Sequence, residues 1–181
     1  MQEVETKILD VDAEKIKDIL NSLGAKEILN TRLVVDWYGP KGLTHDGDDP
    51  WFLRIRTDGE GNSEATWKGN RNFKGASSSH KEINLKVLDK DALGNMFLEF
   101  GMESYAHQEK DRISFVYKDW RFDLDQYPGM PAYLEIEGKS EESIQEAIKL
   151  LNLENKTATP RGERAVIKET YNLDWFNMHF S

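Results

Sequence analysis

The chain contains no cysteine. That excludes disulfides, thiolate metal sites and a thiol nucleophile, and it fits a reducing compartment. No apolar run is long enough to span a bilayer, and the polar, strand-like start predicts no signal peptide, so a cytoplasmic location is expected. Positive charge is also in deficit, with a formal net charge of −9. This argues against a broad nucleic-acid or anionic-membrane surface, while leaving room for a local basic cluster that grips phosphate. There is no glycine-rich phosphate loop of the Walker kind. The four histidines, His45, His80, His107 and His179, are not spaced with a serine or aspartate for a catalytic triad.

What is present suits one soluble domain with a real core: 181 residues, 38% hydrophobic and 31% charged. Residues 2–9 read as a strand. Asp12 is a candidate N-cap for a helix carrying Ile16, Ile19, Leu20 and Leu23 at helical spacing and closed by Gly24. β character returns at 28–38, followed by a Gly-, Pro- and Asp-rich loop to Pro50. Within that loop His45-Asp46-Gly47-Asp48-Asp49 lacks the spacing and terminal Glu of a calcium loop and reads as a solvated turn. A hairpin is predicted from 51–57 and 63–69, then a polar loop from Gly69 to Ser79 and a strand at 80–88. A second helix fits 90–100, with Leu93, Met96, Phe97 and Phe100 as its buried stripe. Strands follow at 105–117, 120–127 and 132–138. Ser140 caps a third helix carrying Ile144, Ala147, Ile148 and Leu151. The tail from 152, with Tyr171, Trp175, Phe176 and Phe180, is expected to dock part of its aromatic surface. Eight strands and three helices in this order predict an α+β fold.

The strands share one peculiarity. Side chains alternate between the two faces of a strand, and here one face is repeatedly charged. Glu3, Glu5, Glu82, Asp123, Asp125, Glu135 and Glu137 supply acids; Lys7, Arg54, Arg56, Lys68, Lys86, Lys110 and Arg112 supply bases. A solvated sheet face would give some of this pattern, but it usually mixes in serine, threonine and glutamine. If the sheet curls into a barrel, the charged faces turn inward. Such an interior needs its charges paired, hydrated or bound to ligand. Carboxylates without histidine or cysteine suit a hard cation, Mg²⁺ or Mn²⁺. Arginines and lysines opposite them suit phosphate oxygens. The implied ligand is a polyphosphate bridged to carboxylates by metal.

Glu3-Val4-Glu5-Thr6-Lys7 resembles the E-x-E-x-K signature of the CYTH family, the triphosphate tunnel metalloenzymes. Leu53-Arg54-Ile55-Arg56, Thr66-Trp67-Lys68-Gly69, Glu82, Lys110-Asp111-Arg112, Leu124-Asp125 and Leu134-Glu135-Ile136-Glu137-Gly138 follow in the family's order. The resemblance covers residues 1–138 well and the third helix loosely. It implies a single domain over 1–181, an eight-stranded antiparallel β-barrel tunnel with helices outside, against which 152–181 pack. It also implies metal ligation by Glu3, Glu5, Glu135 and Glu137 with Asp125 contributing, and Glu82 as a further candidate. Lys7, Arg54, Arg56, Lys68, Lys110 and Arg112 would grip the triphosphate, with Lys7, Glu5 and Glu135 closest to the chemistry. Asn84 departs from the family by standing where many relatives carry a second acid after Glu82. Three functions follow from the resemblance: a Mg²⁺- or Mn²⁺-dependent triphosphate hydrolase, a class IV adenylate cyclase making cyclic AMP and pyrophosphate, and a non-catalytic polyphosphate or nucleotide sensor. The expected partner is a small-molecule triphosphate, with no nucleic acid or membrane, on a monomer or homodimer.

Overall fold

The computed structural model describes residues 3–43, 45, 51–69, 72–74 and 77–181. The Asp46–Asp49 segment of the acidic loop and the side chains of Glu3 and His80 lie outside the described residues. Eight strands of six residues or more occur where the alternating patterns predict them: β1 (Glu3–Ile8), β2 (Lys26–Pro40), β3 (Phe52–Thr57), β4 (Ser63–Lys68), β7 (Glu82–Val87), β8 (Met102–Tyr117), β9 (Trp120–Gln126) and β10 (Tyr133–Gly138). Four short strands join them: β5 (Asn72–Lys74), β6 (Ser77–His80), β11 (Ala158–Thr159) and β12 (Asn177–Met178). The long helices are α1 (Ala13–Ser22), α2 (Lys90–Glu99) and α3 (Glu141–Leu150). The tail adds α4 (Glu163–Ala165) and a π-helical turn, Val166–Thr170. The fold is α+β; β1–β10, β10–β9, β9–β8, β2–β3, β3–β4 and β4–β7 pair antiparallel, and β12 runs parallel beside β8. Among the described residues no helix is long and apolar enough to cross a membrane.

The chain divides into two compact units. The first holds residues 1–31, 71–80 and 111–162. Its strand order is β5-β6-β1-β10-β9 and the C-terminal half of β8, with β11 also on β1. The apolar face of these strands supplies Ile8, Leu134, Ile136, Phe122, Leu124 and Phe115 to one core, closed by Ile16 and Leu20 of α1 and Ile144, Ala147 and Ile148 of α3. Those helices form where predicted because their caps are in the sequence. Asp12 accepts from Lys15 N, Ser140 from Ser143 N, and Gly24, at φ 77°, takes the left-handed position that ends α1.

The second unit holds residues 32–70, 81–110 and 163–181, with strands β8, β2, β3, β4 and β7 in that order. Ile55, Ala65 and Phe97 form one hydrophobic cluster in it, with Tyr38, Leu53 and Leu93 packed around them.

Two expectations fail here. The polar stretch from Gly69 to Ser79 is not simply a loop. It contains β5 and β6, and β6 pairs with β1, setting Ser78 opposite Glu5. Hydrophobic patterning could not reveal this, because the strand is held by backbone hydrogen bonds and buries serines, Ser77 and Ser78, instead of apolar side chains. The α2 stripe is also only half right. Leu93 and Phe97 pack, but Met96 and Phe100 are 45% and 70% exposed. The helix seats on the line through Gly94 and Phe97: a Cβ at Gly94 would lie 2.7 Å from Tyr38 Oη, and Tyr38 meets Phe97 edge-on.

Candidate active site

In the first unit, register turns alternation into three rows across neighbouring strands. Lys7 of β1 lies opposite Glu135 of β10, Asp123 of β9 lies opposite Glu135, and Ser114 of β8 opposite Asp123. On one side of this row Glu5 faces Glu137, and Glu137 faces Arg121; on the other Tyr133 faces Asp125, and Asp125 faces Arg112. These side chains share one face because the other face is committed to the core. They are not a solvated surface: Lys7 is 2% exposed, Asp125 0% and Glu135 7%.

Buried charge is tolerated only when paired, and the pairing gathers these residues around two centres that meet where Arg112 Nη2 lies 3.7 Å from Glu135 Oε1. Arg112 is one centre. Its Nε and Nη2 donate to Asp125 Oδ1 and Oδ2 at 2.6 and 2.5 Å, and its Nη1 donates to Asp123 Oδ2 at 2.6 Å. Tyr133 Oη donates to Asp125 Oδ2 at 2.9 Å, and Arg121 Nε to Asp123 Oδ1 at 2.9 Å. Burial works against the Arg112 charge, but Asp123, Asp125 and Glu135 outweigh it and hold the guanidinium protonated far above its ordinary value. Burial likewise pushes Asp123 up, yet Arg112 and Arg121 win and hold it below the usual carboxylate range.

Glu5, Glu135 and Glu137 are the other group. Each offers an oxygen within 4.8 Å of the others. Lys7 Nζ lies 2.7 Å from Glu135 Oε2 and 3.6 Å from Glu5 Oε1. An all-oxygen, mostly buried carboxylate trio with one ammonium beside it has the donor chemistry of a Mg²⁺ or Mn²⁺ site. Asp125, expected to contribute to that site, is placed in the Arg112 clamp and is not in the trio.

In the second unit the same construction yields cations. Register sets Arg54 between Trp37 and Thr66, Arg56 between Val35 and Glu64, and Lys68 between Phe52 and Glu82. Arg56 Nη2 donates to Glu64 at 2.9 Å, Lys68 pairs with Glu82 at 2.7 Å, and buried Lys110 pairs with Glu163 at 2.6 Å. Asn84 Nδ2 donates to Glu82 Oε1 at 2.8 Å, so it orients that acid. Arg54 differs from the other cations. It is 9% exposed, its Nε has no hydrogen-bond partner among the described residues, and neither has Oγ1 of Thr66 opposite it. The Trp37 ring lies with its centroid 5.5 Å from the guanidinium carbon.

A family model, the CYTH domain, matches residues 1–163. The chain belongs to the CYTH family. A Methanocaldococcus jannaschii protein named "putative adenylate cyclase" is 32% identical over 152 residues, 83% of this chain and 84% of that one. Among solved structures, the PH1012 protein of Pyrococcus horikoshii OT3 superposes with a TM-score of 0.75 at 21% identity, covering 90% of this chain and 97% of the other. A Hippeastrum protein described as a "putative adenylyl cyclase" with a dominant triphosphatase activity superposes with a TM-score of 0.70 at 12% identity, covering 99% and 100%.

Within this CYTH chain, sequence reasoning found the rows but not who pairs with whom. Asp123 and Arg121 are as central to the Arg112 clamp as Asp125, and Tyr133 caps it. Asp123 already stood in the charged row by parity. Tyr133 would have been found by asking which residue precedes Glu135 on the same face. Glu163, the partner of Lys110, comes from the tail and carries no pattern that could have marked it.

Proposed function

We propose that this CYTH protein is a divalent-metal-dependent hydrolase of a triphosphate. The observation that carries the reading is Arg54, a buried guanidinium whose Nε has no hydrogen-bond partner among the described residues, beside an unpartnered Thr66 hydroxyl. A buried cation left this way is unfavourable on its own and is relieved by an anion. A phosphate oxygen fits both groups, accepting from the guanidinium and from the hydroxyl. Arg56, Lys68 and Lys110 would add charge along the phosphate chain by exchanging their present carboxylate partners for phosphate oxygens. Glu5, Glu135 and Glu137, with Glu3 by its place in the signature, would hold Mg²⁺ or Mn²⁺, which supplies Lewis-acid polarisation of phosphate oxygens when bound. Lys7, beside Glu135 and Glu5, would neutralise charge on the transferred phosphoryl group. Arg112 would face the substrate as a cation held rigid by Asp123 and Asp125.

The name of the Methanocaldococcus relative supports a second reading, cyclisation of ATP. The two reactions use the same charges and differ in the group attacked: water on the terminal phosphorus for the hydrolase, the ribose 3′-hydroxyl on the α-phosphorus for the cyclase. Trp37, next to Arg54 in register, already packs on Trp175 with ring centroids 5.1 Å apart. That neighbour is taken by the protein instead of being offered to a base, which favours a substrate recognised by its phosphates. The test is a product assay with Mg²⁺ or Mn²⁺ and, separately, tripolyphosphate, thiamine triphosphate and ATP. Orthophosphate release is expected, fastest from the true substrate. Cyclic AMP with pyrophosphate from ATP would replace the hydrolase reading with the cyclase one, and binding without any product would point to a sensor.

A further inference from the structure

His107 and Glu109 alternate along β8 with Gln108 and Lys110, so they project from the opposite face of that strand. β12 runs parallel beside them, with Asn177 opposite His107 and Met178 opposite Gln108. The next residue, His179, thereby comes to Glu109. One ligand atom from each of His107, Glu109 and His179 lies within 4.8 Å of the others. Both rings also have one nitrogen already fixed. His107 Nδ1–H donates to Asp36 Oδ1 at 2.5 Å, and His179 Nε2–H donates to Asn177 Oδ1 at 2.5 Å. Acceptors on those nitrogens leave the lone pairs on His107 Nε2 and His179 Nδ1. His179 Nδ1 is 3.9 Å from Glu109 Oε1, while Glu109 Oε2 accepts from Phe180 N at 3.0 Å.

We propose that His107, Glu109 and His179 form a second metal site, for a transition ion of the Zn²⁺, Co²⁺ and Ni²⁺ class. Two imidazoles and one carboxylate suit these borderline ions, whereas the all-carboxylate trio of the first unit suits hard ones. Asp36 and Asn177 are the orienting partners that metal-binding histidines ordinarily have, fixing tautomer and ring direction. Bonds of 2.0–2.2 Å require donor atoms roughly 3.3 Å apart, so binding draws the three side chains together. His179, with 42% of its side chain exposed, is free to make that rotation. One ligand lies beyond residue 163, where the family match ends. The site therefore joins the C-terminal segment to β8, and the metal would pin β12 and the residues after it to that strand.

The test uses the untagged full chain, titrated with Co²⁺ by visible absorption and with Zn²⁺ by calorimetry. A Co²⁺ ion with imidazole-type absorption, displaced by Zn²⁺, is expected in addition to any held by the carboxylate trio. His107→Ala and His179→Ala should each lose at least tenfold in Zn²⁺ affinity, and Asp36→Asn should lose about 10- to 100-fold. Zn²⁺ should raise the Tm of the wild type more than that of His179→Ala, a change at a side chain that is 42% exposed. An imidazole-type Co²⁺ absorption and a Zn²⁺ affinity unaltered in both histidine variants would overturn the proposal.

Discussion

At the level of single residues, two buried arginines differ in what pairs with them. Arg112 is surrounded by Asp123, Asp125 and Tyr133, and removing it strands buried carboxylates. Arg112→Ala should therefore lower stability by about 3–5 kcal/mol, the usual result of breaking a buried pair from one side. Denaturant unfolding would check it. Arg54 has no such partner among the described residues, so Arg54→Ala should leave the Tm unchanged or raise it while weakening tripolyphosphate binding at least tenfold. A Tm drop like that of Arg112→Ala would show that Arg54 is structural. Glu135→Gln should abolish turnover, but Glu135 also accepts from Lys7 at 2.7 Å, so some stability should go with it. Glu137→Gln is the cleaner probe of the carboxylate trio, since Glu137 is less buried. Its turnover at fixed Mg²⁺ should fall at least tenfold and recover in part as Mg²⁺ is raised.

Elements carry two further expectations. α2 sits against β2 because residue 94 has no side chain. Alanine there would gain helix propensity of about 1 kcal/mol, yet its Cβ would stand 2.7 Å from Tyr38 Oη. Gly94→Ala should thus lower the Tm, and adding Tyr38→Phe, which removes that oxygen, should restore it. If the single variant is more stable than the wild type, the packing reason for the glycine is wrong. The β8–β9 clamp sets an acid limit. Asp123 has its folded pKa depressed below the unfolded value, near 4. Its contribution to stability is present above that value and is lost as pH falls through the folded pKa. Stability should decline as pH drops below about 4, and Asp123→Asn should flatten that decline while lowering stability at neutral pH. Unfolding curves from pH 7 to pH 2 would show it.

At the level of the molecule, only the folded chain presents the charged rows in register, so ligand binding must stabilise it. Mg²⁺ with tripolyphosphate should raise the Tm, by about 2.7 kcal/mol of linkage when ligand stands at a hundred times its Kd. Chelation with EDTA should remove the shift. No shift at millimolar ligand would count against a triphosphate site altogether.

Strand parity, helix caps and glycine stops are local properties, and they were legible in the sequence. They determined the eight long strands, the three main helices, the α+β class and which side of each strand is charged; Asp12, Gly24 and Ser140 act where the sequence puts them. The ordered motifs determined the family. Register and pairing were not legible, because they depend on which backbone lies opposite which. Tertiary structure decided that Asp125 joins Arg112 instead of the glutamate trio. It decided that serines in a polar stretch pair with β1, and that among the described residues Arg54 is left without a carboxylate while Arg56, Lys68 and Lys110 each have one. It also brought His179 to His107 across 71 intervening positions, a proximity that strand β12 creates and no spacing along the chain could announce.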